Sequence, residues 1–203
     1  MLQLEIKIKS SIFDRDRILI LNPEYIQFDD KDLKEAKPTT IVKTEISGFR
    51  FGLKPIRGYY FHIGRIYCID IRGNKDQFIK IRLKSVYGIR KKELTQKYST
   101  IVKALYDYFI DEISLKYLNQ FSNNEQFEIA GVNFNEEGVI FNKKIGLITW
   151  LDLGTRAYYH YYTLYSKQQP TQYKAFEFIN DWNVAILYGV SRQILKNKNL
   201  WTE

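Results

Sequence analysis

Phe78-Ile79-Lys80-Ile81-Arg82-Leu83-Lys84 alternates apolar and cationic residues without a break. Side chains leave a strand on alternate sides, so this spacing predicts a β-strand with Ile79, Ile81 and Leu83 on one face and Lys80, Arg82 and Lys84 on the other. Gly73-Asn74-Lys75-Asp76 precedes it as a turn. From about Lys91 the period changes: Leu94, Tyr98, Ile101, Leu105, Phe109 and Ile113 recur at intervals of three and four, the stripe of an amphipathic helix that runs as far as Phe121. Strands that end in one such helix place the chain in the α+β class, with mainly antiparallel sheet.

Upstream, residues 17–21 and 25–28 flank the turn pair Asn22-Pro23 and read as a hairpin, with further strands at 40–51 and 65–72. A helix over 91–121 would be about 45 Å long at 1.5 Å per residue. One small sheet needs less cover than that, so its far end is expected to pack on a second set of elements. Ser122-Asn123-Asn124 ends it, giving domains over 1–121 and 122–203. In the second half, strands are expected at 127–134, 138–141, 147–151 and 158–165. Gln168-Gln169-Pro170 then breaks the chain before a helix over 174–196 that carries Trp182, Ile186 and Val190 on one face.

The two halves resemble each other. Residues 21–28 match residues 134–141, with Asn, Glu and Phe in step at an offset of 113; Thr44-Glu45-Ile46 matches Leu151-Asp152-Leu153 at 107; and residues 102–106 match 184–188 at 82. Order kept with a shrinking offset points to a duplication whose second copy is shorter by about 31 residues. Two β-rich segments that merely look alike would be the alternative. The second copy is too short for seven strands, and residues 1–9, with Leu2, Leu4, Ile6 and Ile8 on one face, could supply a missing one.

A run of short antiparallel strands with one C-terminal amphipathic helix, occurring twice, resembles two pleckstrin-homology-like domains in tandem. The resemblance implies two strongly bent sheets or partial barrels, each closed by its helix, and binding of phosphoinositides, peptides or proteins. Arg15 and Arg17 fit the basic first strand of phosphoinositide-binding members. The turn Asn22-Pro23-Glu24 and Gln27 on the next strand depart from their pattern.

Charge is placed unevenly: residues 1–120 hold 23 Lys+Arg against 15 Asp+Glu, residues 121–203 hold 8 of each, and residues 50–103 hold 14 against 3. Lys80, Arg82 and Lys84 on the strand, Arg90, Lys91 and Lys92 at the helix start, and Arg50, Lys54 and Arg57 upstream are the candidate anion-binding residues. Cations at a helix start oppose its dipole, so a cluster there hints at an anion on the free N–H groups. The plain alternative is a solvated face that keeps a sheet edge from aggregating. Tyr159, Tyr161 and Tyr165 alternate onto one side of the 158–165 strand as a candidate interface, and a neutral, Tyr-rich second copy suits a homodimer.

Catalysis finds little support. His62, His160 and the single Cys68 stand in aromatic or apolar strand patterns with no metal-ligand or nucleophile spacing, so a non-enzymatic binding or scaffold module without cofactor is expected. Its basic domain would engage an acidic protein or an anionic membrane surface. Nucleic acid on the same face is the alternative, given a pI of about 9.3. Apolar runs fall far short of the roughly 20 residues that span a bilayer. The N-terminus alternates where a secretory signal would be continuously apolar, and the lone cysteine fits a reducing compartment. A soluble, cytoplasmic protein is expected, with the Ile-, Lys- and Asn-rich bias of an AT-rich bacterial genome.

Overall fold

The computed structural model describes residues 3–9, 15–30, 37–74, 77–142 and 144–201. The chain divides into two compact units, Met1–Phe109 and Ile110–Glu203. Its class is α+β with antiparallel sheets, and among the described residues no sheet pairs its first strand with its last.

In the first unit β1 (Leu4–Ile8), β2 (Arg17–Asn22), β3 (Tyr25–Phe28) and β4 (Thr39–Val42) form one four-stranded meander. Residues 1–9 were candidates to complete the second copy; instead Leu4–Ile8 pairs with β2, Leu4 opposite Leu21 and Ile8 opposite Arg17, because Ile6 and Ile8 bury with Leu19 and Leu21. The expected strand over 40–51 is two strands, since the turn Lys43–Glu45 separates β4 from β5 (Ile46–Arg57). β5, β6 (His62–Gly73) and β7 (Phe78–Val86) form a three-stranded meander. The turn before β7 includes Lys75 and Asp76, which lie outside the described residues.

Alternation divides this sheet as the β7 sequence predicts. Ile79, Ile81 and Leu83 are fully buried, as are Ile69 and Ile71 of β6. Helix α1 (Lys91–Leu105) packs on that apolar face: the rings of Tyr67 and Tyr98 are 5.3 Å apart, and Tyr67 Oη shares a 2.5 Å hydrogen bond with Thr95 Oγ1. Leu94, Ile101, Leu105 and Phe109 of the stripe are buried. A π-helical turn (Tyr106–Ile110) follows α1, and the unit boundary falls inside it. Helix α2 (Asp111–Ser122) packs on elements of the second unit, which therefore takes in the helix segment that the sequence assigns to the first domain.

The second unit holds seven strands among its described residues, where its length predicts fewer. β8 (Phe127–Ile129), β9 (Val132–Phe134), β10 (Gly138–Ile140) and β11 (Ile148–Thr149) form a four-stranded meander; β12 (Leu153–Ala157), β13 (Tyr161–Ser166) and β14 (Tyr173–Glu177) form a three-stranded one; helix α3 (Val184–Asn197) follows. They fit because they are two to six residues long. The expected single strand over 127–134 folds back at Ala130-Gly131, both at positive φ (53° and 73°), the geometry of a tight hairpin turn. The expected strand over 147–151 shortens to β11, because the chain turns at Trp150 and Leu151, and the expected strand over 158–165 begins only at Tyr161. The helix expected from residue 174 starts at Val184, since residues 173–177 pair with β13, Tyr162 opposite Phe176.

Equivalent hydrogen bonds recur in the two units. Asn22 Oδ1 accepts from Glu24 N at 3.0 Å, and Asn135 Oδ1 accepts from Glu137 N at 3.0 Å, an offset of 113. Lys43 N donates to Glu24 O and Trp150 N to Glu137 O; Asn74 N donates to Glu45 O and Lys167 N to Asp152 O. Gly58 N and Tyr158 N donate to Phe61 O and Tyr161 O, each at 2.8 Å, an offset of 100. Both helices begin after a left-handed residue, Arg90 (φ 56°) and Asn183 (φ 63°), an offset of 93. That overturns the 82-residue match between the helices, which places them about three turns out of step. Three helical turns return to nearly the same face, so the apolar stripe alone could not reveal the slip. In each unit a buried strand tyrosine bonds a helix hydroxyl that donates to the carbonyl four residues back: Thr95 to Lys91 O at 2.7 Å, and Ser191, beside Tyr162 at 2.7 Å, to Leu187 O at 2.6 Å.

Candidate functional site

The face of β5–β7 opposite α1 carries the strand cations. Register pairs them in rows: Arg50–Asp70–Lys80, Gly52–Cys68–Arg82 and Lys54–Ile66–Lys84. Neighbouring strands lie about 4.8 Å apart, so Lys54 and Lys84 start about 10 Å from each other across β6, and Lys80 starts about 13 Å along β7 from Lys84. Lys54, Lys80 and Lys84 are exposed, and among the described residues none of them pairs with an acid. Lys80 Nζ sits 4.8 Å from the centroid of the Phe78 ring. Three ammonium groups so spread suit several separate anionic groups better than one.

Asp70 sits at the centre of this face and is 3% exposed. Its Oδ2 accepts from Arg50 Nε at 2.9 Å, and Arg82 Nη1 stands 2.6 Å from Oδ1. That second contact is a charge contact, because the Nη1 hydrogens are directed at the carbonyls of Ile81 (2.9 Å) and Ile69 (3.3 Å). Arg50 and Arg82, both candidates for an external anion, thus already hold an internal one. The isolated acid in Ile69-Asp70-Ile71 was the available signal for a built-in counterion. Beside it, burial pushes the Cys68 thiol up, against the downward pull of Arg82. A thiol held protonated is a poor nucleophile. His62 lies six residues away on the same strand, about 20 Å at 3.3 Å per residue, so the two make no common site.

A pocket of about 440 Å³ opens where this face meets the first meander, lined by Arg17, Phe28, Asp30, Phe78, Lys80 and Arg82. Arg17 and Phe28 come from β2 and β3, and no local pattern could have joined them to β7. Asp30 accepts from Thr39 Oγ1 at 2.8 Å, which holds its carboxylate at the pocket wall. Arg15 is bound to Asp29 through two contacts of 2.5 and 2.7 Å; the hydrogen bond from Arg15 holds the Asp29 carboxyl below its usual range.

The helix-start cations do not share the strand face, because α1 lies on the opposite side of the sheet. Arg90 donates to Glu93 through Nε and Nη2 at 2.9 and 2.8 Å, and Lys97 stands 3.2 Å from the same carboxylate. The Arg90 hydrogen bond, then that from Lys97, hold the Glu93 carboxyl down at about 2. Lys91 and Lys92 are exposed. Arg57 lies at the end of β5, exposed, opposite His62 after a register shift.

In the second unit Tyr161 and Tyr165 stand on the outward face of β13 and line a pocket of about 410 Å³ with Arg156, Tyr158, Tyr173 and Ala175 among its walls. Tyr159 does not share that face as strand alternation predicts: it sits in the hairpin turn, because Tyr158 N bonds Tyr161 O and closes the loop there. Tyr158 instead stacks on Tyr161 at 4.5 Å. Arg156 lies 5.9 Å from the Tyr165 ring. Tyr162, on the other face, is fully buried against α3.

Among the described residues no group of His, Cys, Asp and Glu is arranged to hold a metal ion, and no helix is long and apolar enough to cross a membrane. Comparison with known protein families, curated proteins and solved structures finds no match.

Proposed function

We propose that this chain is a tandem pleckstrin-homology-like binding module whose first unit engages an anionic partner through the cationic face of β5–β7, without catalysis of its own. Four strands, three strands and a helix, met twice with equivalent hydrogen bonds, support the domain type; each helix would close its own bent sheets. The observation that carries the function is the row geometry: Lys54, Lys80 and Lys84 project into solvent around Asp70, and Lys80 and Arg82 continue into the pocket that holds Arg17. The charge follows the units. Met1–Phe109 carries 22 basic and 13 acidic residues, while Ile110–Glu203 carries 9 and 10.

Retention on a polyanion matrix (heparin) tests this. The native chain should elute at high salt, and Lys54→Glu/Lys80→Glu/Lys84→Glu, which alters only exposed side chains, should elute early with an unchanged melting temperature. Equal retention of both proteins overturns the assignment. A steep log–log salt dependence for duplex DNA with none for acidic peptide would move the partner to nucleic acid.

A further inference from the structure

The β5–β6 hairpin ends in Arg57-Gly58-Tyr59-Tyr60-Phe61-His62, and its three aromatic rings turn outward. Tyr59 is 102% exposed, Tyr60 95% and Phe61 65%. The β7–α1 connection lies at the same end of the sheet, since Gly64 pairs with Val86 and Tyr87 N donates to Ile63 O at 2.7 Å. It exposes Tyr87 and Ile89. Five large apolar side chains therefore stand in water at one end of one unit. The turn itself does not call for them: the closure Gly58 N to Phe61 O is a backbone bond that needs no aromatic residue.

The charge around them is mainly positive, the nearest acid in sequence, Glu93, being held by Arg90 and Lys97. Residues 54–66 and 82–92, the chain segments that build this end, contain eight Lys and Arg and no Asp or Glu. Lys54, Lys84, Lys91 and Lys92 are exposed. Exposed tyrosines and a phenylalanine on chain segments rich in cations have the composition of a membrane-interface contact. Aromatic rings settle at headgroup depth, apolar side chains enter the acyl boundary, and Lys and Arg meet anionic headgroups. An acidic protein would satisfy the cations but leave five apolar groups to be matched.

We infer that the anionic partner is a phospholipid bilayer and that the chain docks on it by the tip of β5–β6 together with the β7–α1 turn. This rests on the anionic-partner assignment above and gives it a chemical class and an orientation. The second unit supplies an internal contrast. Tyr159 occupies the equivalent hairpin tip, offset by 100 residues, and is also exposed. There, however, Glu177 and Asp181 stand at the end of β14, with Glu177 N bonded to Asp181 Oδ2 at 2.8 Å, so that tip lacks the excess of cations.

Co-sedimentation with vesicles of phosphatidylglycerol and phosphatidylcholine, against phosphatidylcholine alone, tests the inference on the full chain. Binding should require the anionic lipid and weaken with salt. Tyr59→Ser/Tyr60→Ser/Phe61→Ser should reduce vesicle partitioning roughly a hundredfold, about 3 kcal/mol at 1.4 kcal/mol per tenfold, while heparin retention stays unchanged. Tyr159→Ser should leave both unchanged. The Tyr60→Trp variant should shift its emission to the blue on anionic vesicles, read against the native chain as background. Heparin retention without vesicle binding overturns the bilayer and leaves the anionic-partner assignment standing; loss of both overturns both. Vesicle binding that survives the triple substitution, or an added indole whose emission stays red on vesicles, overturns the tip. Self-association that the triple substitution abolishes, with no vesicle binding, overturns the bilayer and makes the tip a contact between copies of this chain.

Discussion

Replacing Asp70 by Asn separates stability from binding. The carboxylate is buried between two guanidiniums, 2.9 Å from Arg50 Nε and 2.6 Å from Arg82 Nη1. Two unit charges about 4 Å apart attract by about 4 kcal/mol at an effective dielectric constant of 20, a gross figure that the desolvation of Asp70 largely offsets. Removing one partner of a buried pair costs about 3–5 kcal/mol where the surviving charge stays buried. Here the survivors are 27% and 37% exposed and can rehydrate, and Asn keeps an oxygen to accept from Arg50. The expected loss is therefore about 2 kcal/mol, with a fall of about 2–4 °C in Tm for each kcal/mol in a chain of 203 residues. Polyanion binding should move the other way, because Arg50 and Arg82 lose their internal counterion and the face gains one net positive charge; the log–log salt slope should steepen by at most about 2. Trp150, Trp182 and Trp201 all lie in the second unit, so their fluorescence does not report on β5–β7. Hydrogen exchange of peptides spanning residues 46–86, measured by mass spectrometry, does. An Asn variant with unchanged exchange would show that the carboxylate contributes no net stabilisation. A variant that binds polyanions more weakly would show that Asp70 serves the face by holding its arginines in place.

Two further outcomes follow from the second unit. The Tyr162 hydroxyl is pushed up to about 12 by burial, above its ordinary 10.0; the folded state favours the neutral phenol, so this stability is complete below pH 10 and erodes as pH rises from 10 towards 12. Tyr162→Phe should cost about 1 kcal/mol at pH 7 for the lost bond to Ser191 and should flatten the alkaline limb of a denaturation series; an unchanged limb would refute the assignment. Gly138→Ala would bring a Cβ 2.0 Å from Ile148 O and 2.8 Å from Thr149 Cα, a clash with backbone that has no side chain to move aside, so β10 and β11 must part at a cost of about 2–3 kcal/mol. Urea unfolding followed by tryptophan fluorescence checks it, and a midpoint equal to that of the native chain would contradict the close approach.

The β7 strand, the hairpin at Asn22-Pro23 and the stripe from Leu94 to Phe109 were legible because each is long, or flagged by a turn pair, and each shows one clear period. The second unit was less so. Strands of two or three residues have no period to read, and Tyr173-Lys174-Ala175-Phe176-Glu177 merged into the helix behind it because Lys, Ala and Glu also favour helix. Neither α1 nor α3 has a side-chain cap, and both start from a left-handed residue; Arg90 is no usual start signal, and Asn183, a favoured residue type at a helix start, makes no cap bond. The strand cations were placed correctly on one face by alternation alone. Their neutralisation by Asp70 and the approach of Arg17 to Lys80 and Arg82 were not, since both depend on which strands lie side by side. The exposed rings at Tyr59, Tyr60 and Phe61 were hidden for the opposite reason: on sequence alone they look like core.

Every strand among the described residues pairs only with its immediate neighbours in the sequence. The contacts that build the sheets are accordingly local for a β-rich protein, and low contact order speeds folding by limiting the loop entropy lost before pairing is rewarded. Hairpins can zip one after another in the order of synthesis. The first unit, which holds the whole cationic face, has all its pairing partners before residue 110 has been added. It can therefore be finished on the ribosome while the second unit is still being made.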